Sequence, residues 1–132
     1  MTPVRNPITA LGGTEMEVLR HVWRLGRATT RDVHDAIVAE RRLAYTTVMT
    51  VMKNLVAKGY LRHDTEGTAH VYTAARPPEE VQGSLLSGVL DKVFGGSPGA
   101  LVQTLVRHET LTDADRAELR RLVDALDAPS DD

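Results

Sequence analysis

The sequence predicts a mainly α-helical chain of the α+β kind, with three helices and one β-hairpin in its first part and three more helices in its second. Three observations lead there. From Leu43 onward, at about 100° per residue, Val48, Val51, Met52 and Leu55 fall on one side of a helix, and Thr46, Met49, Thr50 and Lys53 on the other. Gly59 then supplies the positive-φ residue that ends a helix. The chain passes at once into a hairpin, Leu61–Asp64 and Ala69–Ala74, folded at Thr65-Glu66-Gly67-Thr68. A polar-faced helix running straight into a hairpin is how a winged helix-turn-helix closes, the hairpin being the wing.

The remaining elements follow from caps and periodicity. Residues 1–13, with Pro3, Pro7 and Gly12-Gly13, read as a flexible arm. Thr14 to Glu17 has the form of a capping box. The helix it opens buries Met16, Leu19, Val22 and Trp23 and stops near Gly26. Thr29 or Thr30 caps a second helix that presents Val33, Ile37 and Val38 and ends around Arg41. The link to the third helix is then only about three residues, which forces a steep crossing of the helix-turn-helix type. Pro77-Pro78 marks a boundary, because proline is tolerated in the first turn of a new helix, and Glu79 and Glu80 suit its positive end. Gly95-Gly96 breaks this fourth helix, Ser97-Pro98 opens the fifth and Thr112 caps the sixth. The predicted organisation is a DNA-binding unit over 1–76, a helical dimerisation region over 77–126 and an acidic, disordered tail over 127–132.

Composition narrows the functional classes. The 132 residues include no cysteine, which removes disulfides, thiolate metal sites and cysteine nucleophiles together. No apolar run approaches the roughly 20 residues that cross a bilayer, so no membrane insertion is expected. The N-terminus MTPVRNP has no signal-peptide core, and a soluble cytoplasmic protein is expected. The net charge of −2 conceals an asymmetry. Residues 1–76 carry 11 Lys and Arg against 7 Asp and Glu, a balance of +4, whereas residues 77–132 carry 5 against 11, a balance of −6. A basic front suits a polyanionic partner.

If the third helix enters a major groove, Thr46, Thr47, Met49 and Thr50 are placed to meet base edges, where hydroxyls donate or accept and carbon meets the thymine methyl. Lys53 and Asn54 suit backbone phosphates, as do Arg31 near the start of the second helix and Arg62, His63, Thr68 and His70 on the wing. A solvated polar face is the plain alternative, weakened for this helix because its polar side carries no acid. With a four-residue turn at 65–68, His63 and His70 would sit opposite each other, close enough to share an ion. Two ligands do not make a metal site, so no metal and no cofactor is assigned. No catalytic constellation appears either. Arg31-Asp32-Val33-His34-Asp35 has acid and base types, but neighbours on a helix diverge.

The second part carries an aliphatic surface too large for its size. Leu85, Leu86, Val89, Leu90, Val93 and Phe94 lie on the fourth helix, Leu101 and Leu105 on the fifth, and Leu119, Leu122, Val123 and Leu126 on the sixth. These 56 residues are too few for an independent core. Packing against a second copy of the chain is the economical solution, packing back on the first part the alternative.

Particular strings make the chain similar to the penicillinase-repressor (BlaI/MecI) family. They are Leu11-Gly12, Glu17-Val18-Leu19 and Val22-Trp23, then Thr46-Thr47-Val48-Met49-Thr50 and Leu55–Leu61, then His70-Val71-Tyr72, Val93-Phe94-Gly95-Gly96 and Leu101-Val102. The resemblance covers roughly residues 10–126. It implies a dimeric repressor of a dyad-symmetric operator with TACA/TGTA-like half-sites. For the members that control β-lactam resistance, it also implies relief when a membrane sensor protease triggers cleavage in the dimerisation region. The corresponding point falls near Thr104 and Leu105, where those members have Asn-Phe, and Met49 stands where they carry arginine. The cysteine motif of a copper-responsive sister group is absent. Two other functions remain open on the sequence: a winged-helix protein-interaction module, and a ligand-sensing repressor of the multiple-antibiotic-resistance type.

Overall fold

The structure, a computed structural model, describes residues 11–126, so the expectations for residues 1–10 of the arm and for the tail from Asp127 lie outside the described residues. Nine elements follow in order: α1 (Gly13–Leu25), β1 (Arg27–Ala28), α2 (Thr30–Val38), α3 (Tyr45–Ala57), β2 (Leu61–Glu66), β3 (Ala69–Ala74), α4 (Pro78–Phe94), α5 (Pro98–His108) and α6 (Asp113–Leu126). The chain divides into two compact units after Val89, within α4. Among the described residues no helix is long and apolar enough to cross a membrane.

In the first unit, the apolar stripes of three helices converge on one core. Val18, Leu19 and Val22 of α1 meet Val33 and Ile37 of α2, and Val48, Met52 and Leu55 of α3, all fully buried. Leu61 and Tyr72 close the core from the sheet, Tyr60 from the turn before β2, and Val81 of α4 joins it. Each such side chain contributes about 1.5–3 kcal/mol by leaving water. The third helix buries the four residues its periodicity selects, and Gly59, at φ 86°, turns the chain into the sheet.

The structure corrects several expectations. Helix α1 starts earlier than Thr14. Gly12 is its N-cap and its N–H donates to Glu15 Oε1 at 2.9 Å, while Leu11, expected in the arm, lies in the core. Thr14 and Glu17 are drawn instead to Arg41, whose Nη2 lies 2.7 Å from Glu17 Oε1. Val18 is buried outright, whereas Met16 and Trp23 are half-buried at the core's edge. Thr29 caps α2, its hydroxyl accepting from Asp32 N at 3.1 Å. This helix ends at Val38, which is exposed, and the link to α3 therefore runs over residues 39–44. The longer link still allows the crossing, because His34 Nε2 donates to the Leu43 carbonyl at 2.8 Å and holds it down.

The sheet is three-stranded and antiparallel, in the order β1-β3-β2. Strand β1 pairs Arg27 with Thr73 and Ala28 with Tyr72; two residues are too short to leave a periodic signal. Strand β2 runs two residues beyond Asp64, since Glu66 pairs with Ala69 around a two-residue turn, Gly67-Thr68. Only Gly67 has positive φ, 62°, the requirement of a turn with glycine at its first central position.

In the second unit, Ser97 Oγ accepts from Ala100 N at 3.1 Å to start α5, and Thr112 and Asp115 cap α6 reciprocally at 3.0 Å. Gly95 and Gly96, at φ 58° and 82°, end α4, with Gly96 N donating back to Leu90 O at 2.9 Å. No residue of α5 or α6 is buried.

Candidate nucleic-acid interface

The exposed side of α3 is built by subtraction. Once Val48, Val51, Met52 and Leu55 commit to the core, Thr46, Thr47, Thr50, Lys53 and Asn54 must face outward, with Met49 half-buried at the margin. Lys53 is the single charge on the helix. Ala44, its N-cap, makes no side-chain cap hydrogen bond. Thr47 N turns back to the Ala44 carbonyl at 3.1 Å, and no capping side chain covers the positive end of the helix dipole.

Beside this face runs an open groove of about 440 Å³, bounded by the start of α2, by α3 and by the wing. Thr29, Thr30, Arg31, Tyr45, Met49, Lys53, Thr68, Ala69, His70 and Tyr72 line it. A second depression, of about 310 Å³, continues it between α3 and the wing, shares Lys53, His70 and Tyr72, and adds Val56 and His63. The lining holds the cations Arg31 and Lys53 and no carboxylate. The nearest acid in sequence, Asp32, is occupied in accepting from Thr29 N at 3.0 Å. At the wing tip, Glu66 is paired with Arg27 of β1.

Of the residues singled out by sequence, the grooves gather Arg31, Met49, Lys53, His63, Thr68 and His70. Thr46, Thr47, Thr50 and Asn54 stand on the open face of α3 and line neither depression. Arg62 is not brought in: side chains alternate along β2, so it faces away from Leu61 and His63, which share a face with Tyr72. The histidines are not directly opposed. His63 pairs with Tyr72 and His70 with Thr65. The two-residue slip keeps both rings on one face, where they stack with centroids 4.6 Å apart and Nε2 of His63 hydrogen-bonds to Nδ1 of His70. Among the described residues, no group of three or more His, Asp or Glu side chains is arranged to hold a metal ion.

Two aromatic residues at the site escaped the sequence reading. Tyr72 is buried, and burial pushes its hydroxyl up from the usual range, opposed by a hydrogen bond with the Thr30 side chain and reinforced by Tyr45. It remains a protonated, fixed wall of the groove. Tyr45, the first residue of α3, is 44% exposed. Its place just before the acid-free face was the available signal. Two ion pairs fix the helices that carry the site. Lys58 at the end of α3 lies 2.7 Å from Glu15 of α1. Burial pushes the Glu15 carboxyl up, but the hydrogen bonds from Lys58 and Gly12 N and the Lys58 charge hold it below its ordinary value. Glu17 is likewise held low, chiefly by the hydrogen bond from Arg41.

Comparison with known proteins gives a consistent result. Residues 11–125 match the penicillinase repressor family. The transcriptional regulator BlaI of Mycobacterium tuberculosis is 36% identical over 125 residues, covering 92% of this chain and 88% of that protein. The penicillinase repressor of Bacillus licheniformis is 21% identical over 117 residues, covering 89% and 91%. Among solved structures, the reduced form of MarR from E. coli superposes with a TM-score of 0.50 at 13% identity, over 93% of this chain and 85% of that one, a likeness of fold alone.

Proposed function

Since the chain belongs to the penicillinase repressor family, we propose that it acts as a homodimeric repressor that binds a dyad-symmetric operator in double-stranded DNA. It is a DNA-binding transcriptional regulator and not an enzyme. The observation that carries the finer reading is the acid-free groove, with two cations, beside a threonine-rich helix face. In this reading residues 1–76 bind DNA and residues 77–126 pair two chains. Thr46, Thr47, Met49 and Thr50 meet base edges, and Lys53, Asn54, Arg31, Thr68, His63 and His70 serve the backbone. Arg62 would reach only a phosphate beyond the outer face of the wing.

Two α3 helices related by a twofold axis enter successive major grooves about 34–36 Å apart, and the symmetry of the dimer demands a palindromic site. The exposed apolar residues of α4, α5 and α6, among them Leu86, Val93, Leu105, Leu122, Val123 and Leu126, support a second copy as the cover. Release by a membrane sensor protease extends the reading. Thr104 and Leu105 are exposed on α5, and a cut there would sever α6 from the rest of the chain. In this reading, action on DNA implies a cytoplasmic protein.

Fluorescence-anisotropy titration against the chain's own upstream DNA and a random duplex, each at two salt concentrations, tests the proposal. Tight, palindrome-dependent binding above a steeply salt-sensitive background is the expected result. Equal, weak binding to both duplexes would leave the winged helix a scaffold for a protein partner.

A further inference from the structure

We infer that Tyr45 is itself a DNA-contacting residue, donating its phenol hydroxyl to a backbone phosphate, and that His34 is the residue that positions it. The inference rests on the reading of the groove as a nucleic-acid interface. Tyr45 opens α3 and lines the groove beside Arg31 and Lys53, the two cations there. Among the described residues its hydroxyl makes no hydrogen bond, whereas the other phenol in the lining, Tyr72, is committed to Thr30. A free neutral donor flanked by two cations, with no carboxylate in the lining, matches the chemistry of a phosphodiester oxygen, which accepts only.

The ring is held from behind. His34 meets Tyr45 edge to face, with centroids 5.5 Å apart and planes at 76°, the arrangement aromatic rings favour. The imidazole is fixed in turn, since its Nε2 lies 2.8 Å from the Leu43 carbonyl oxygen. A carbonyl can only accept, so Nε2 carries the proton. His34 therefore does two separable things: its N–H pins the link before α3, and its ring bears on the Tyr45 ring.

The test separates these roles by anisotropy on operator and random duplexes. Tyr45→Phe removes only the hydroxyl from an exposed ring, and about a tenfold loss of affinity is expected on both duplexes, the usual scale for a hydrogen bond to a charged group. Because a neutral donor displaces no counterion, the salt slope should stay unchanged, unlike that of Lys53→Ala. His34→Gln keeps a donor for Leu43 but loses the ring, and should weaken binding several-fold with Tyr45 present and not at all in the Tyr45→Phe background. His34→Phe keeps a ring without the donor, and should retain affinity although its melting temperature falls. Unaltered binding by Tyr45→Phe overturns the contact. An equal penalty for His34→Gln in both backgrounds, or a His34→Phe variant as weak as His34→Gln, overturns the positioning role. If the unaltered chain binds neither duplex, the groove reading itself falls and the inference with it.

Discussion

The two units use the same sequence grammar and reach opposite outcomes. Helices α1, α2 and α3 each carry an apolar stripe, and the three stripes meet in a closed core with Leu19, Ile37, Met52 and Leu55 wholly out of water. Helices α5 and α6 carry stripes of the same period, yet none of their residues is buried and Val102, Val106, Leu122 and Val123 are about half exposed. A groove of about 320 Å³ lies open between them, walled by Val102, Val106, Leu111, Leu119 and Val123 and edged by Arg116, Arg120 and Asp124. An amphipathic stripe thus states only that a face needs covering. The first unit supplies its own cover within one chain. The second leaves the face open, which is the physical basis for reading it as half of an interface.

The largest expected effect breaks the closed unit. Leu55→Ala should cost about 2–5 kcal/mol in a chemical-denaturation experiment, because a fully buried side chain leaves a cavity. Leu122→Ala, on an open face, should cost under about 1 kcal/mol at concentrations where the chain is a monomer. Similar losses for the two would erase the contrast.

Charging the open face sharpens it. Val102→Glu combined with Val123→Glu should abolish dimerisation in sedimentation analysis and leave helical content intact. Operator affinity should drop by about a hundredfold as the two half-sites uncouple. A doubly substituted chain that sediments like the unaltered one would overturn the proposal that this face pairs two chains.

Substitutions on the proposed DNA face should act more mildly and differ in kind. Lys53→Ala should weaken binding to every duplex alike and reduce the salt slope by about 1. Thr50→Ala should lower operator binding by about 1 kcal/mol and spare random DNA. Equal losses on specific and random duplex for Thr50→Ala would remove it from base readout.

The smallest effect concerns how α1 and α3 are tied. Glu15 is held below its ordinary carboxylate value in the folded chain, so its contribution is fully present above the unfolded value and is lost as pH falls through the folded one. Glu15→Gln should therefore lower stability at neutral pH by about 0.5–1 kcal/mol, the range of a partly exposed ion pair. The difference from the unaltered chain should shrink in the acid range below about pH 4. A penalty that persists unchanged in acid would assign the effect to packing instead.

The periodicity of α3, its end at Gly59, the hairpin that follows, the caps at Ser97 and Thr112, and a cap for α2 at Thr29 or Thr30 were legible in the sequence. Each depends on a few neighbouring residues whose local chemistry is sufficient. The acid-free character of the α3 face was legible for the same reason. Other features depend on partners distant along the chain. Thr14 to Glu17 has the form of a cap, but burial of Leu11 draws the helix start back to Gly12, and Arg41, 24 residues away, claims Glu17. Strand β1 exists because β3 offers it an edge, and the hairpin register follows Gly67 instead of a four-residue turn. Tyr45 joins the site only because α2 brings His34 against it and Tyr72 stands across the groove. Sequence by itself determined the six helices and the hairpin, the family, and the acid-free face proposed to meet DNA. Tertiary structure decided which side chains converge, because convergence is set by packing through space and leaves no period along the chain.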